Sequence, residues 1–512
     1  NNEIMLRGEG ITHGYYKKEA AIQAAVFGWV PVFLWIILGG IFFGAVPAFG
    51  ALYASVKNEG KSMGLLIEQY IGKTGKKLFL LFCWLFTLIV TAAFADMVAG
   101  TFNAYETVDG VTSLSAAATV NGAAGSISLL FIAFAVVFGL IQKKAQFHGW
   151  KQTMLGLVCT VAAFVIGMNC PLITTKANWS YMVFAYIFLA AVLPMWLLME
   201  PRDLMTTFMF AGMIIGAVVG LLVAHPAMNL APYTGFHNEK SGDLFPILFV
   251  TVACGAVSGF HSLVSSGTSS KAITNEKDMP KVGFGAMLLE SLLAVLALCV
   301  AGAAASADGT PATGTPFAIF SSGVAGFLEM FGIPVYAAQC FMTMCVSALA
   351  LTSLDSVARI GRMSFQDLFI VDDMEHAEGW RKLLCNKYFA TVITLVCGYI
   401  LTQIGYSNIW PLFGSANQLL SALVLITLCV FLRVTGRENR TLLVPLVVML
   451  CVTFTALVER CIALVKAYNA GTAVFMVEGL QLIIEVLLLL SVSLVELTDR
   501  PLSSCHRNLH LI

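Results

Sequence analysis

The apolar residues of this chain come in blocks of roughly twenty, the length that crosses a hydrocarbon core of about 30 Å as a helix. The blocks run at about 32–56, 78–102, 126–141, 153–169, 181–198, 204–224, 244–265, 284–304, 335–358, 390–404, 409–432, 442–458 and 477–494. They predict an all-α, polytopic membrane helix bundle of about thirteen transmembrane helices. Several blocks are shorter than twenty residues, which predicts helices that are broken or re-entrant.

The loops between the blocks orient the bundle, because Lys and Arg gather on the cytoplasmic side. Lys57, Lys61, Lys73, Lys76 and Lys77 follow the first block, Lys143, Lys144 and Lys151 the third, and Arg202 the fifth. Lys271, Lys277 and Lys281 follow the seventh; Arg362, Arg381, Lys382 and Lys387 the ninth; Arg433, Arg437 and Arg440 the eleventh; Arg500 and Arg507 the last. The intervening loops are poor in basic residues, with Arg460 and Lys466 after the twelfth block as the weakest case. The alternation predicts a cytoplasmic carboxyl terminus. Residues 1–21 read as a polar amino-terminal segment, 22–496 as the membrane domain and 497–512 as a cytoplasmic tail. The first twenty residues lack the apolar core of a signal peptide, so either the first helix is the insertion signal or the true start is missing.

Composition agrees with the membrane reading. Hydrophobic residues make up 58% of the 512 positions and charged residues only 11%, whereas a soluble domain is about a quarter charged. The 29 basic and 29 acidic residues balance, so no net field points to nucleic acid. The thirteen cysteines lie mostly inside apolar blocks without a CxxC pair, which argues against a disulfide framework or a zinc site and for packing roles.

A charge at a helix centre costs roughly 2.5–3.5 kcal/mol on insertion scales, so each such residue needs a partner or a wet cavity. Asp96, His261, Glu290 and Asp355 are the intramembrane candidates, with Arg359 one turn beyond Asp355. The densest signal is the run from Gly255 to Lys271, GAVSGFHSLVSSGTSSK. Its glycines suit close helix contact, and Ser258, His261 or Ser262, and Ser265 share a face at helical spacing. Such a run is what a broken helix needs where it lines a substrate or ion site; the plainer reading is small-residue packing with serines bonded to carbonyls. In LTSLDSVARIGR, Asp355 is placed to pair with Arg359, while Thr352, Ser353 and Asp355 offer oxygens to sodium or accept a proton. Asn417 and Gln418 suit a substrate contact or helix–helix glue.

The segments SGFHSLVSSGTSSK, GFGAMLLES, LTSLDSVARIGR and NIWPLFGSANQLLSAL resemble, in consistent order, the signature segments of the carbon starvation protein family. The resemblance runs from about Ile22 to Arg433. It implies kinship with the amino acid, polyamine and organocation superfamily, hence an inverted-repeat core with broken helices. It also implies uptake of small nutrients, peptides or pyruvate, across the bacterial inner membrane. Where the family carries a Gly- and Pro-rich helix preceded by a further span, this chain has the polar stretch from Gly10 to Ala20. The expectation is a peptide importer driven by proton or sodium symport, with a pyruvate or other monocarboxylate symporter as the alternative and no cofactor beyond the coupling cation. Substrate contacts are expected from Ser258, His261, Ser262, Ser265, Asn417 and Gln418, and ion coupling from Asp96, Glu290, Thr352, Ser353 and Asp355. An intramembrane hydrolase built on Ser258 and His261 is the competing class, but they are three apart on one helix and the GxSG arrangement of intramembrane serine proteases is absent.

Overall fold

The computed structural model describes residues 23–108, 111–145, 149–238, 242–252, 255–306, 312, 316–370, 378–403 and 405–469. The last expected block, 477–494, and the expected tail lie outside them, as does nearly all of the amino-terminal polar segment. Among the described residues nine helices are long and apolar enough to cross a membrane: Trp29–Lys57, Lys73–Thr101, Ala118–Ala145, Trp150–Asn169, Met199–Ala224, Glu276–Ala304, Val335–Phe369, Phe413–Val434 and Arg440–Lys466. The blocks at 181–198 and 390–404 form the shorter helices Lys176–Val192 and Lys387–Thr402. Arg460 and Lys466, the exception to the charge alternation, sit inside the helix Arg440–Asn469 and not in a loop.

The block at 244–265 is a broken helix. Leu244–Thr251 stops, residues 255–258 are non-helical, and Gly259–Val264 resumes the helix into a π-turn at Ser265–Ser269. Ser258 is extended, with φ −135° and ψ 116°. It therefore does not share a helical face with His261 and Ser265, which corrects the spacing argument. Among the elements not expected are the helix Pro316–Met330 and the antiparallel ribbon Tyr105–Val108 with Val111–Leu114.

Lys73–Thr101 and Val335–Phe369 pack against each other more extensively than any other pair and form the centre of the bundle. Both are mostly buried, whereas Trp150–Asn169 turns Val158, Val161 and Val165 outward, as a helix facing lipid does. Glycines decide how closely the other elements approach the break. At Gly255 an added Cβ would lie 2.6 Å from Cβ of Ala294, and at Gly39 it would lie 2.6 Å from Cβ of Ala256. At Gly259 it would lie 2.3 Å from the backbone nitrogen of Ser421 and 2.5 Å from the Asn417 carbonyl oxygen. Backbone cannot move aside as a flexible side chain does. Gly259→Ala is accordingly expected to cost at least the ~1–3 kcal/mol of an overpacked core. It should lower the thermal midpoint in detergent, and an unchanged midpoint would mean that the two helices separate freely.

Candidate functional site

Breaking a helix inside a membrane strands backbone groups that lipid cannot satisfy. Here side chains from three other helices take them up. Trp35 Nε1 donates to the Val252 carbonyl at 2.9 Å, and Ser291 Oγ donates to the Gly255 carbonyl at 3.0 Å. From the helix Tyr406–Val434, Gln418 Nε2 donates to the Phe249 carbonyl, and Asn417 Oδ1 accepts the Phe260 N–H at 3.1 Å. Asn417 Nδ2 lies 3.3 Å from Ser258 Oγ. Asn417 and Gln418 thus clamp the two halves of the break, one amide to each. Both amides are engaged in helix–helix contacts.

His261 projects from the resumed half toward the helix Ala286–Ala304. Its Nε2 lies 2.9 Å from Glu290 Oε2, an ion-pair contact without the alignment of a hydrogen bond, and its Nδ1 lies 3.2 Å from Met287 Sδ. Glu290 is fully buried, and its Oε1 has no hydrogen-bond partner among the described residues. Beside His261, the ring of Phe260 lies 6.0 Å from that of Phe86, which in turn stacks on Phe413 at 5.7 Å. These three buried rings wall the break with apolar surface. An imidazole and a carboxylate that share one proton are neutral as a pair whether it sits on nitrogen or oxygen. A second proton, or the loss of the first, leaves a net charge that must be compensated.

Asp355 forms a second centre, and its expected partner is wrong. Arg359 Nη2 donates to the Ala190 and Leu193 carbonyls, both at 2.6 Å, satisfying groups that the end of the helix Lys176–Val192 leaves open. Asp355 pairs instead with Arg202, and Tyr186 Oη donates to the same Oδ2 at 2.5 Å. Arg202 Nη1 also donates to Tyr186 Oη at 2.6 Å. Arg202, read above as a cytoplasmic loop cation, is 1% exposed in the first turn of Met199–Ala224. The charge of Asp355 draws it inward. Sequence reasoning had no means of finding this pair, whose members are 153 residues apart.

The remaining candidates do not join either centre in the same way. Asp96 pairs at 2.7 Å with Lys176, a half-exposed residue at the start of its helix. Thr352 and Ser353 donate back to the carbonyls of Ala348 and Leu349, ordinary intrahelical bonds. Ser262 is buried, and its Oγ has no hydrogen-bond partner among the described residues. Ser265 lies at the start of the π-turn.

A cavity of about 290 Å³ lies at the end of the bundle that carries Lys271, and Leu263, Ser266, Glu200, Arg359, Arg362 and Asp367 are among its walls. None of His261, Glu290, Asp355 and Asn417 lines it. Both ion centres nevertheless lie next to it along their helices: Leu263 is two residues beyond His261, and Arg359 is one turn, roughly 5–6 Å, beyond Asp355. The four residues do not share one pocket; they fall into two buried centres adjoining one vestibule.

The family model described as "Carbon starvation protein CstA" matches residues 20–309 and 303–456. The chain is 28% identical over 507 residues to the peptide transporter CstA of Escherichia coli (strain K12), covering 85% of this chain and 70% of that protein. It is 32% identical over 292 residues to the pyruvate/proton symporter BtsT of the same organism, covering 55% and 39% respectively. Among solved structures, MhsT in complex with L-phenylalanine superposes with a TM-score of 0.53 at 12% identity, covering 96% of this chain and 98% of that one. The Eremococcus coleocola manganese transporter bound to an aromatic bis-isothiourea substituted compound gives 0.51 at 13% identity, covering 97% and 92%. At such identities the likeness is one of fold.

Proposed function

Because the chain belongs to the carbon starvation protein CstA family, whose curated relatives are transporters and not enzymes, we propose that it is a secondary active importer of small nutrients, peptides foremost, driven by cation symport. The observation that carries the reading is a buried His261–Glu290 pair beside a helix break whose backbone is held by other helices. Rocking of one part of the bundle against another would expose such a pair to one side and then the other, with a proton affinity that differs between the two states. A proton suits this chemistry better than sodium. Hard cations prefer several oxygen ligands, whereas the Glu290 carboxylate faces an imidazole nitrogen.

A monocarboxylate substrate is the second reading, favoured by the likeness to a pyruvate/proton symporter. The hydrolase reading loses its dyad: Ser258 is bonded to Asn417 and His261 faces Glu290 and Met287. We place the protein in the bacterial inner membrane with its basic loops and carboxyl terminus cytoplasmic, and assign it a role in nutrient scavenging under carbon starvation. The test is uptake of radiolabelled di- and tripeptides and of pyruvate into proteoliposomes carrying the full chain, under imposed proton or sodium gradients. Saturable uptake driven by the proton gradient alone is the expected result. Absence of saturable uptake of either substrate class would end the importer reading.

A further inference from the structure

The Arg202–Asp355 pair lies deep in the bundle, yet it is not closed as a pair built only for stability would be. A guanidinium and a carboxylate satisfy each other best as a fork with two parallel bonds. Here Asp355 Oδ2 alone receives both Arg202 Nη1 and Tyr186 Oη. Arg202 Nη2 and Asp355 Oδ1 are buried with no hydrogen-bond partner among the described residues. Half of a permanently charged fork is therefore unspent inside the protein, an expensive arrangement unless another group occupies it at some stage.

The surroundings say which charge that group carries. Among the walls of the 290 Å³ cavity are the cations Lys271, Arg359 and Arg362 and the anions Glu200 and Asp367. Glu200 is two residues before Arg202, and Arg359 is one turn after Asp355. The excess of positive charge, together with the hydroxyls of Ser266, Thr268 and Ser364 on the same walls, favours an anion entering toward Arg202. The groups that face Asp355 are Arg202, Tyr186 and, from its own helix, Arg359, while Asp203 faces Arg202 and Tyr186.

We propose that Arg202 is the centre that binds the carboxylate of the transported substrate, and that Asp355 occupies it as an internal stand-in when substrate is absent. The substrate carboxylate and an ionised Asp355 cannot share one guanidinium without leaving a buried negative charge. Asp355 therefore takes up a proton from the bulk solution as the substrate carboxylate displaces it, and Tyr186 donates to the incoming carboxylate in its place. The inference rests on the importer reading and names its substrate class: molecules with a free carboxylate.

Binding in detergent tests it without requiring transport. The probes are alanyl-alanine against its carboxyl-terminal amide and pyruvate against pyruvamide, with proton uptake followed in weakly buffered solution. The wild-type protein should bind the free acids at least about tenfold more tightly than the amides, as expected when a charged hydrogen bond is lost, and should take up about one proton per bound acid. Asp355→Asn should bind without that proton. The double variant Arg202→Gln/Asp355→Asn, which neutralises both members of the pair together, should fold and bind acid and amide alike. Equal binding of acid and amide by the wild type, or discrimination that persists in the folded double variant, would overturn the assignment. If the wild type takes up substrate in vesicles yet ignores the carboxylate, this inference fails and the importer reading stands. If it neither binds nor transports either class, both fail.

Discussion

Glu290→Gln should remove the share of proton-driven accumulation that the His261–Glu290 proton supplies, while leaving substrate exchange across the membrane intact. Each pH unit of gradient is worth about 1.4 kcal/mol per proton, so an inward gradient of two units supports at most about a hundredfold accumulation for one proton. Gln keeps the size and hydrogen-bonding reach of Glu beside His261 Nε2 but cannot gain or lose a proton. Accumulation at that gradient should therefore fall by up to about a hundredfold, to what a proton on Asp355 alone drives, with labelled substrate still exchanging against unlabelled substrate inside the vesicle. His261→Ala should behave similarly if the imidazole shares that proton. Accumulation by Glu290→Gln at the wild-type ratio would remove the pair from coupling and leave it as helix packing.

Arg202→Met should produce the largest loss of folded protein of any single change considered. It leaves Asp355, fully buried, with only Tyr186 donating to it. Removing one member of a buried ion pair typically costs about 3–5 kcal/mol, and replacing both with apolar residues is often neutral. Arg202→Met/Asp355→Leu should accordingly recover monodisperse protein and the thermal midpoint in detergent, yet stay inactive in uptake. Should the single variant be as stable as wild type, the pair is not charged in the resting state and the reading of this centre would have to be rebuilt.

Much of the bundle is visible in the chain itself. Block length located the nine helices among the described residues that are long and apolar enough to cross a membrane, and the glycines and serines from Gly255 to Ser270 announced the broken helix. The rarity of intramembrane charge singled out His261, Glu290 and Asp355. The partners were harder. Asp355 and Arg359 have the spacing of an intrahelical pair, but Arg359 is drawn to the open carbonyls of a neighbouring helix end and Arg202 replaces it. Asn417 and Gln418 were visible as buried amides. That each clamps a different half of the break depends on how the helix Tyr406–Val434 crosses it. The helix Pro316–Met330 escaped notice because its length falls short of a span.

The sequence by itself determined which stretches form long apolar helices, which helix cannot stay whole, and which family of folds it joins. Those outcomes follow from transfer free energies and backbone propensities that act within a dozen or two neighbouring residues. The tertiary structure decided which charge meets which, because a buried ion takes the nearest partner that packing delivers, and packing joins residues more than a hundred positions apart. It also divided the polar residues into two buried centres beside one vestibule.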